Sequence, residues 1–279
     1  MKRLLKIEFQ KLLKNRASKF LIISYFILLS FIALIASIKF EFGTFRLHIA
    51  EQGIFNFPYI WHFNTYIAGY FKLFLAIVIV SMMANEYTYG TLKQNLIDGM
   101  SKKEFILSKF LTVIVFALAS SIFIFIMSLI LGYSFSSYTE FGIVFSDLEY
   151  ILGFFLKLVG FFSFCLFLGI LVKRSAFALG FLLIWNIAEG IISALLRWKI
   201  FPDTNTYAKI NQFFPLESMS NLIKEPFSRL SAIKNIETTI TGEEAIRDYS
   251  IHFGEIAIVC VWTAIFIYLS YYILRKRDL

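Results

Sequence analysis

The sequence predicts an all-α polytopic membrane protein, with an interfacial N-terminal helix followed by six transmembrane helices. Of the 279 residues, 58% are hydrophobic and only 16% are charged, whereas soluble globular domains carry roughly 25% charged residues. Six apolar runs also have lengths close to the ~20 residues that cross a hydrocarbon core of ~30 Å. These runs cover residues 20–38, 63–84, 110–133, 150–172, 175–196 and 256–274.

The segment before the first span, residues 1–19, is predicted to be an amphipathic helix. Leu5, Phe9, Leu12 and Leu13 recur at helical spacing and basic residues cover the other side. Basic amphipathic helices next to a span typically lie in the membrane interface. The alternative is a soluble arm whose charges only enforce topology. The segment lacks the cleavage site of a secretory signal.

The distribution of positive charge predicts the topology. More than half of the 27 Lys and Arg residues fall in the N-terminal arm, the 85–109 loop, the Lys173-Arg174 turn and the C-terminal tail. The positive-inside rule therefore places both termini and the 85–109 loop in the cytoplasm, and the chain in the plasma (inner) membrane. The basic residues flank apolar runs, so no nucleic-acid partner is predicted. Residues 1–279 form one domain, whose long 197–255 loop is extracytoplasmic and is expected to form short helices on the outer surface.

The 85–109 loop has the most definite local signals in the chain. A short helix is predicted over residues 91–98, with Leu92, Leu96 and Ile97 on its apolar side. Asp98-Gly99 is predicted to form a turn, because glycine tolerates positive φ and aspartate caps its own backbone. Ser101 and Glu104 have the spacing of a capping box that begins the next helix.

Three ionisable residues lie within predicted spans: Lys72, Lys157 and Glu189. Each would cost at least ~2.5 kcal/mol at a lipid-facing position in mid-membrane, so they are expected to face a cavity or each other. Lys157 and Glu189 lie at similar depths in neighbouring spans, which favours an ion pair, with a substrate path as the alternative. Lys72 has no evident partner.

Catalytic and metal-binding signatures are missing from the sequence. No G-x-x-x-x-G-K-[ST] phosphate loop occurs. The two cysteines, Cys165 and Cys260, lie in apolar runs, and the three histidines lack the spacing of metal ligands. The chain is therefore predicted to have no catalytic site, metal or cofactor of its own.

The order of these parts resembles the permease subunit of ABC-2 type transporters. The resemblance covers the whole chain in architecture, and in motif it covers the loop after the second span and the last five residues, 275–279. The loop reads Glu86-x-x-x-Gly90-Thr91-Leu92, then Ser101-Lys102-Lys103-Glu104-Phe105-Ile106-Leu107, and reaches the third span through Lys109. Asp98-Gly99-Met100 stands where the family often has a proline-containing turn.

The resemblance implies an exporter of hydrophobic or amphiphilic molecules that has no ATPase activity of its own. A separate cytoplasmic ATPase subunit would bind ATP and Mg²⁺ and would dock on the 91–98 helix, and a second permease copy or a sibling would complete the transporter. The implied docking and coupling residues are Glu86, Gly90, Thr91, Leu92, Leu96, Ile97, Asp98 and Gly99.

Two other classes of function remain open from the sequence. A polytopic membrane enzyme would need a convergent set of polar residues within the spans, and Lys72, Lys157 and Glu189 are a small set. A secondary transporter would show repeat symmetry and helices broken by glycine or proline near the midplane. A sensor or immunity component that works with an ATPase is a further alternative. None of these functions identifies a substrate from the sequence.

Overall fold

A computed structural model describes residues 2–36, 39–42, 45–48, 53–202, 204–229 and 247–277. The described chain is a helical bundle with one antiparallel β-hairpin, β1 (Lys39–Phe42) and β2 (Phe45–His48). Four helices are long and apolar enough to cross a membrane, or up to six if each of two bent helix pairs forms one span. The helical class is confirmed and fits a membrane protein, whereas the hairpin was not predicted.

The N-terminal segment is two helices, α1 (Lys2–Lys14) and α2 (Arg16–Ala36), which meet at an angle of 92°. The predicted arm therefore ends at Lys14 and not at residue 19. The side chain of Asn15 accepts hydrogen bonds from the backbone N–H groups of Ala17 (3.0 Å) and Ser18 (3.2 Å). Asn15 thus caps α2 and determines where the corner lies.

The apolar side of α1 has a protein partner. Leu12 is buried, and the Phe9 ring lies 5.7 Å from the Phe116 ring of the long helix α6 (Lys102–Phe135). Leu13, by contrast, is 55% exposed. The amphipathic helix is therefore confirmed, but part of its apolar stripe packs against the bundle and is not free to face the membrane.

The second predicted span, 63–84, is two helices, α3 (Tyr59–Tyr70) and α4 (Lys72–Thr88), bent by 46°. At the break, the N–H of Phe71 donates to the carbonyl of Ala68 at 3.1 Å, which is a tighter turn than the α-helical i−4 bond. The pair is apolar enough to form one bent span, which begins four residues before the predicted one and ends four residues after it. The break is not at glycine or proline, so the sequence carries no strong signal for it.

The helix α6 is followed by the short helix α7 (Phe141–Val144) and by α8 (Glu149–Val172), the most buried of the long helices. Next comes α9 (Ser175–Leu195), which continues as one π-helical turn, Leu196–Ile200. The predicted break between the fourth and fifth spans is confirmed. Lys173 ends α8 in the left-handed conformation, with φ 64°.

The long loop contains α10 (Thr204–Asn211), α11 (Pro215–Asn221) and a 3₁₀ turn, Phe227–Arg229. The last helix is α12 (Phe253–Lys276). Short helices were predicted, but their placement on the outer surface was wrong for α11, which packs against α8, α9 and α12. Met219 of α11 is fully buried beside Gly160, in the middle of α8. Residues 230–246 of this loop lie outside the described residues.

Both described termini lie at one end of the bundle, together with the short helix α5 (Thr91–Ile97). Arg277 donates to the hydroxyl of Tyr87 (3.2 Å) and to the carbonyl of Leu171 (2.8 Å), and Lys102 donates to the carbonyl of Arg277 (3.0 Å). This end is called the α5 end below. The shared position of the termini is compatible with any even number of alternating spans.

We expect Gly169→Ala to destabilise the bundle. A Cβ at Gly169 would lie 2.9 Å from Cβ of Met83 in α4, and overpacking of this kind costs about 1–3 kcal/mol. Gly180→Ala in α9 is the matched control, because no atom lies within 4 Å of its added Cβ. The measurement is the midpoint temperature of thermal unfolding of each purified variant. This midpoint should be lower than that of the wild type for Gly169→Ala and unchanged for Gly180→Ala. Equal midpoints would show that α4 and α8 do not pack this closely.

Candidate functional site

Two glycines with positive φ set the limits of α5. Gly90 (φ 66°) precedes the helix and Gly99 (φ 94°) follows it, and glycine adopts this conformation without steric cost. The turn predicted at Asp98-Gly99 is therefore confirmed, although the helix ends at Ile97. The carboxylate of Asp98 accepts from the side-chain amide of Gln94 at 3.0 Å, and not from its own backbone as expected.

The predicted capping box at the start of α6 is confirmed. Oγ of Ser101 accepts from the backbone N–H of Glu104 at 3.2 Å, and Oε2 of Glu104 accepts from the backbone N–H of Ser101 at 2.9 Å. These two bonds satisfy amides at the helix start that have no intrahelical partner. The link between α5 and α6 is thus a short, hydrogen-bonded connection.

The two sides of α5 differ in exposure. Leu92 is buried and Leu96 packs against the core, whereas Ile97 is 70% exposed and the neighbouring Tyr89 is 72% exposed. The prediction that Ile97 shares a side with Leu92 and Leu96 was wrong. Five residues after Leu92, it points about 140° away from that side, at ~100° per residue. The outer face of α5 is therefore open and carries Ile97.

Beneath α5 lies a buried carboxylate, Glu86, near the end of α4. Its Oε1 accepts from Nζ of Lys109 at 2.6 Å and from Nζ of Lys11 at 2.9 Å, and its Oε2 accepts from Oγ1 of Thr91 at 2.5 Å. Glu86 is only 3% exposed. The carboxylate thus links α4 to α5 through Thr91, to α6 through Lys109 and to α1 through Lys11.

Lys109 also contacts a second carboxylate. Its Nζ donates to Oε2 of Glu8 at 2.6 Å, and the other oxygen of Glu8 accepts from Oγ of Ser108 at 3.4 Å. Lys109 is completely buried, so its charge is compensated only by such partners. Glu8, Lys11, Glu86, Thr91 and Lys109 are called the Glu86 cluster below.

Sequence reasoning found only part of this cluster. Glu86, Thr91 and Lys109 belong to the quoted loop motif, but Glu8 and Lys11 were not singled out. One signal was present, because Glu8 is the single acidic residue among the first 19. A single acidic residue in an otherwise basic amphipathic helix is more consistent with a specific basic partner than with a position at the membrane interface.

The three charges of the predicted spans line one cavity of about 430 Å³, bordered by α3, α4, α8, α9 and α11. The expectation that they face a cavity is therefore confirmed. The predicted ion pair between Lys157 and Glu189 was wrong. The carboxylate of Glu189 accepts from the backbone N–H groups of Leu216 (3.0 Å) and Glu217 (3.1 Å) and from the Trp185 indole (2.5 Å).

The helix α11 replaces the expected ion pair. Glu189 lies at its N-terminus, whereas Nζ of Lys157 donates to the carbonyl of Ser220 near its C-terminus, at 3.2 Å. A helix N-terminus favours a negative charge and a C-terminus favours a positive one. Each charge therefore has one end of α11 as its partner.

Two other groups in the cavity differ from this pattern. The ammonium group of Lys72 lies 4.3 Å from the centre of the Phe161 ring, and among the described residues no carboxylate reaches it. Burial raises the pKa of the Glu217 carboxyl above its ordinary value, although a hydrogen bond from Asn211 opposes this. Glu217 is thus a weaker counter-ion for the two lysines than an exposed glutamate.

A third polar cluster, missed by sequence reasoning, lies at the end of the bundle opposite α5. His62 directly precedes the second predicted span, 63–84, and the structure places it buried in α3 and stacked on Tyr150 at 4.2 Å. Its ring nitrogens lie 2.9 Å from the carbonyl of Lys224 and 3.1 Å from Nη1 of Arg229. These contacts attach segment 224–229 to α3. Among the described residues, no three His, Cys, Asp or Glu side chains group as a metal site would require.

Comparison with known proteins gives the family of the chain. A model of a family described as a protein of unknown function, DUF2705, matches residues 21–279. The chain belongs to this family. A comparison with curated proteins found no match. The region matched by DUF2705 includes Glu86, Thr91, Lys109 and all the cavity residues, whereas Glu8 and Lys11 precede it.

Replacement of the central lysine tests the Glu86 cluster. We expect Lys109→Met to reduce the free energy of unfolding by about 3–5 kcal/mol, because it leaves the buried carboxylates of Glu8 and Glu86 without their shared partner. Lys103→Met, at an exposed position of the same helix, is the control. Chemical denaturation in detergent measures both. A Lys109 variant as stable as the control would mean that the cluster is not buried as described.

Proposed function

We propose that this chain is the permease subunit of an ABC-2 type exporter, driven by a separate cytoplasmic ATPase that docks on α5. The observation that carries the proposal is the contrast between the two sides of α5. Its inner side is joined to α1, α4 and α6 by the buried Glu86 cluster, and its outer side exposes Ile97. A docking element needs both a rigid attachment and a free face.

The helix α4 connects this docking element to the charged cavity. Glu86 lies near one end of α4, and Lys72, which lines the cavity, is its first residue. Their positions differ by 14 residues, which corresponds to about 21 Å along the axis, at ~1.5 Å per residue. Movement of α5 would therefore reach the cavity through a single helix, and the break at Phe71 is where α4 could change its angle to α3.

The remaining parts of the proposal concern the assembly. ATP and Mg²⁺ would be bound by the ATPase subunit, and the transporter would contain a second copy of this permease or a sibling. The least buried spans, α9 and α12, would face lipid or that second permease. The positive-inside rule puts the α5 end in the cytoplasm and the chain in the plasma (inner) membrane, with both termini inside.

A second candidate function is a secondary transporter. The observation that favours it is the broken helix pair α3–α4, interrupted next to Lys72 at the cavity, because such transporters bind substrates at interrupted helices. In proteoliposomes, a secondary transporter would move substrate on an ion gradient alone. The proposed permease would require its ATPase and ATP.

Co-purification tests the docking proposal. We expect an ATPase subunit to co-purify in stoichiometric amount with the wild-type chain from its native membrane. The ratio of ATPase to permease should fall at least tenfold with Ile97→Asp, because a buried interface disfavours an unpaired charge. Phe141→Asp is the matched control, since Phe141 is 76% exposed in α7, away from α5. Quantitative mass spectrometry of the eluates measures the ratio.

Two results would contradict the docking proposal. The first is a folded wild-type chain that purifies without any ATPase. The second is an equal loss of the ATPase in the Ile97 and Phe141 variants, which would show that any added surface charge disturbs the complex.

A further inference from the structure

The cavity that contains Lys72, Lys157 and Glu189 has an excess of hydrogen-bond donors. An ammonium group has three N–H donors and no acceptor. Lys157 is 5% exposed, and Ser220 supplies the carbonyl to which it donates. Lys72 has the Phe161 ring as its cation–π partner. Within the described part of the chain, most of the N–H donors of the buried Lys157 and the partly exposed Lys72 are therefore free to bind a ligand.

The carboxylates near the lysines do not offset this excess. Glu189 already accepts from two backbone N–H groups of α11 and from the Trp185 indole of α9, and it forms no ion pair with either lysine. Glu217 accepts from the side-chain amide of Asn211 at 3.0 Å and is not within ion-pair distance of either lysine. The lining therefore holds two lysines and two carboxylates, but neither carboxylate is within ion-pair distance of a lysine. An acceptor-rich, negatively charged ligand could bind the lysine donors that these carboxylates leave free.

The rim of the cavity is apolar and open to the outside of the bundle. Leu73 of α4 and Leu183 of α9 both line the cavity, and they are 46% and 57% exposed. Inside the cavity, the ammonium of Lys157 lies beside Gly69, 3.7 Å from where a Cβ at that position would be. A ligand held by the lysines would thus meet apolar side chains on its way out.

We propose that this cavity binds the anionic headgroup, a phosphate or a carboxylate, of an amphiphile whose apolar part lies along Leu73 and Leu183. A volume of about 430 Å³ holds a headgroup of this kind and lies within the range of ~300–1,000 Å³ typical of ligand pockets. The inference rests on the proposed function in one respect, because it gives the substrate class of that permease. Binding itself requires no ATPase.

The test uses the full chain, purified in an uncharged maltoside detergent and titrated with three probes. These are a short-chain phosphatidylglycerol, a phosphatidylcholine of the same chain length, and glycerol phosphate. Isothermal titration calorimetry should show the phosphatidylglycerol binding at least tenfold more tightly than either of the others. The phosphatidylcholine tests the need for net negative charge, and glycerol phosphate tests the need for the apolar part.

The lysine variants test the residues. Lys72→Gln and Lys157→Gln should each weaken phosphatidylglycerol binding at least tenfold, which corresponds to the loss of one charge-assisted hydrogen bond. Lys199→Gln, at an exposed position outside the cavity, should bind as the wild type does. Lys157 also holds the end of α11, so Lys72→Gln is the decisive variant if the Lys157 variant unfolds.

Several outcomes would overturn the inference. Equal binding of phosphatidylglycerol and phosphatidylcholine would show that the cavity does not select charge, and equal binding of glycerol phosphate would show that it takes a free anion. Wild-type affinity in Lys72→Gln would exclude the lysine as a ligand contact. Failure of the proposed function looks different, because an absent ATPase leaves the titration unchanged, whereas a failed titration leaves co-purification unchanged.

Discussion

The structure depends on the burial of Lys109 between two carboxylates at the α5 end. A charge removed from water must be paired, and here Lys109 pairs with Glu8 and Glu86 at 2.6 Å each. Because Glu8 is on α1, the pairing requires α1 to fold back against α6, which the corner at Asn15 permits. Because Glu86 also accepts from Thr91, the same pairing fixes the position of α5. One buried cation therefore determines how four helices meet.

The same constraint operates among the long apolar helices α8 and α9, where it is met by a helix and not by an ion pair. Glu189 and Lys157 each bind one end of α11, so the long loop is drawn in between α8, α9 and α12. This insertion forms one wall of the cavity. It also binds the carboxylate of Glu189, and the cavity consequently keeps lysine N–H donors that no carboxylate binds.

The Glu86 cluster and the cavity are connected by α4, since Glu86 and Lys72 lie near its two ends. The cluster is neutral, densely hydrogen-bonded and adjacent to an exposed helix face, which suits transmission of force from a partner protein. The cavity has unsatisfied donors and an apolar rim, which suits an amphiphilic ligand. In the proposed exporter, the Glu86 cluster would therefore serve coupling to the ATPase and the cavity would serve substrate binding.

The sequence by itself determined the features that depend on neighbouring residues: the helical class, the turn at Gly99, the capping box of Ser101 and Glu104, and the break at Lys173. Periodicity, caps and turn preferences act over a few residues, so they are readable without a fold. Only the tertiary structure decided which charges meet. Lys11 and Glu86 are 75 residues apart, and Glu8 and Lys109 are 101 apart. Lys157 and Glu189 appeared to be partners by depth alone, but α11 supplied both with nearer ones. Such choices depend on how distant segments pack, because a buried charge takes the partner that the fold brings within hydrogen-bond distance.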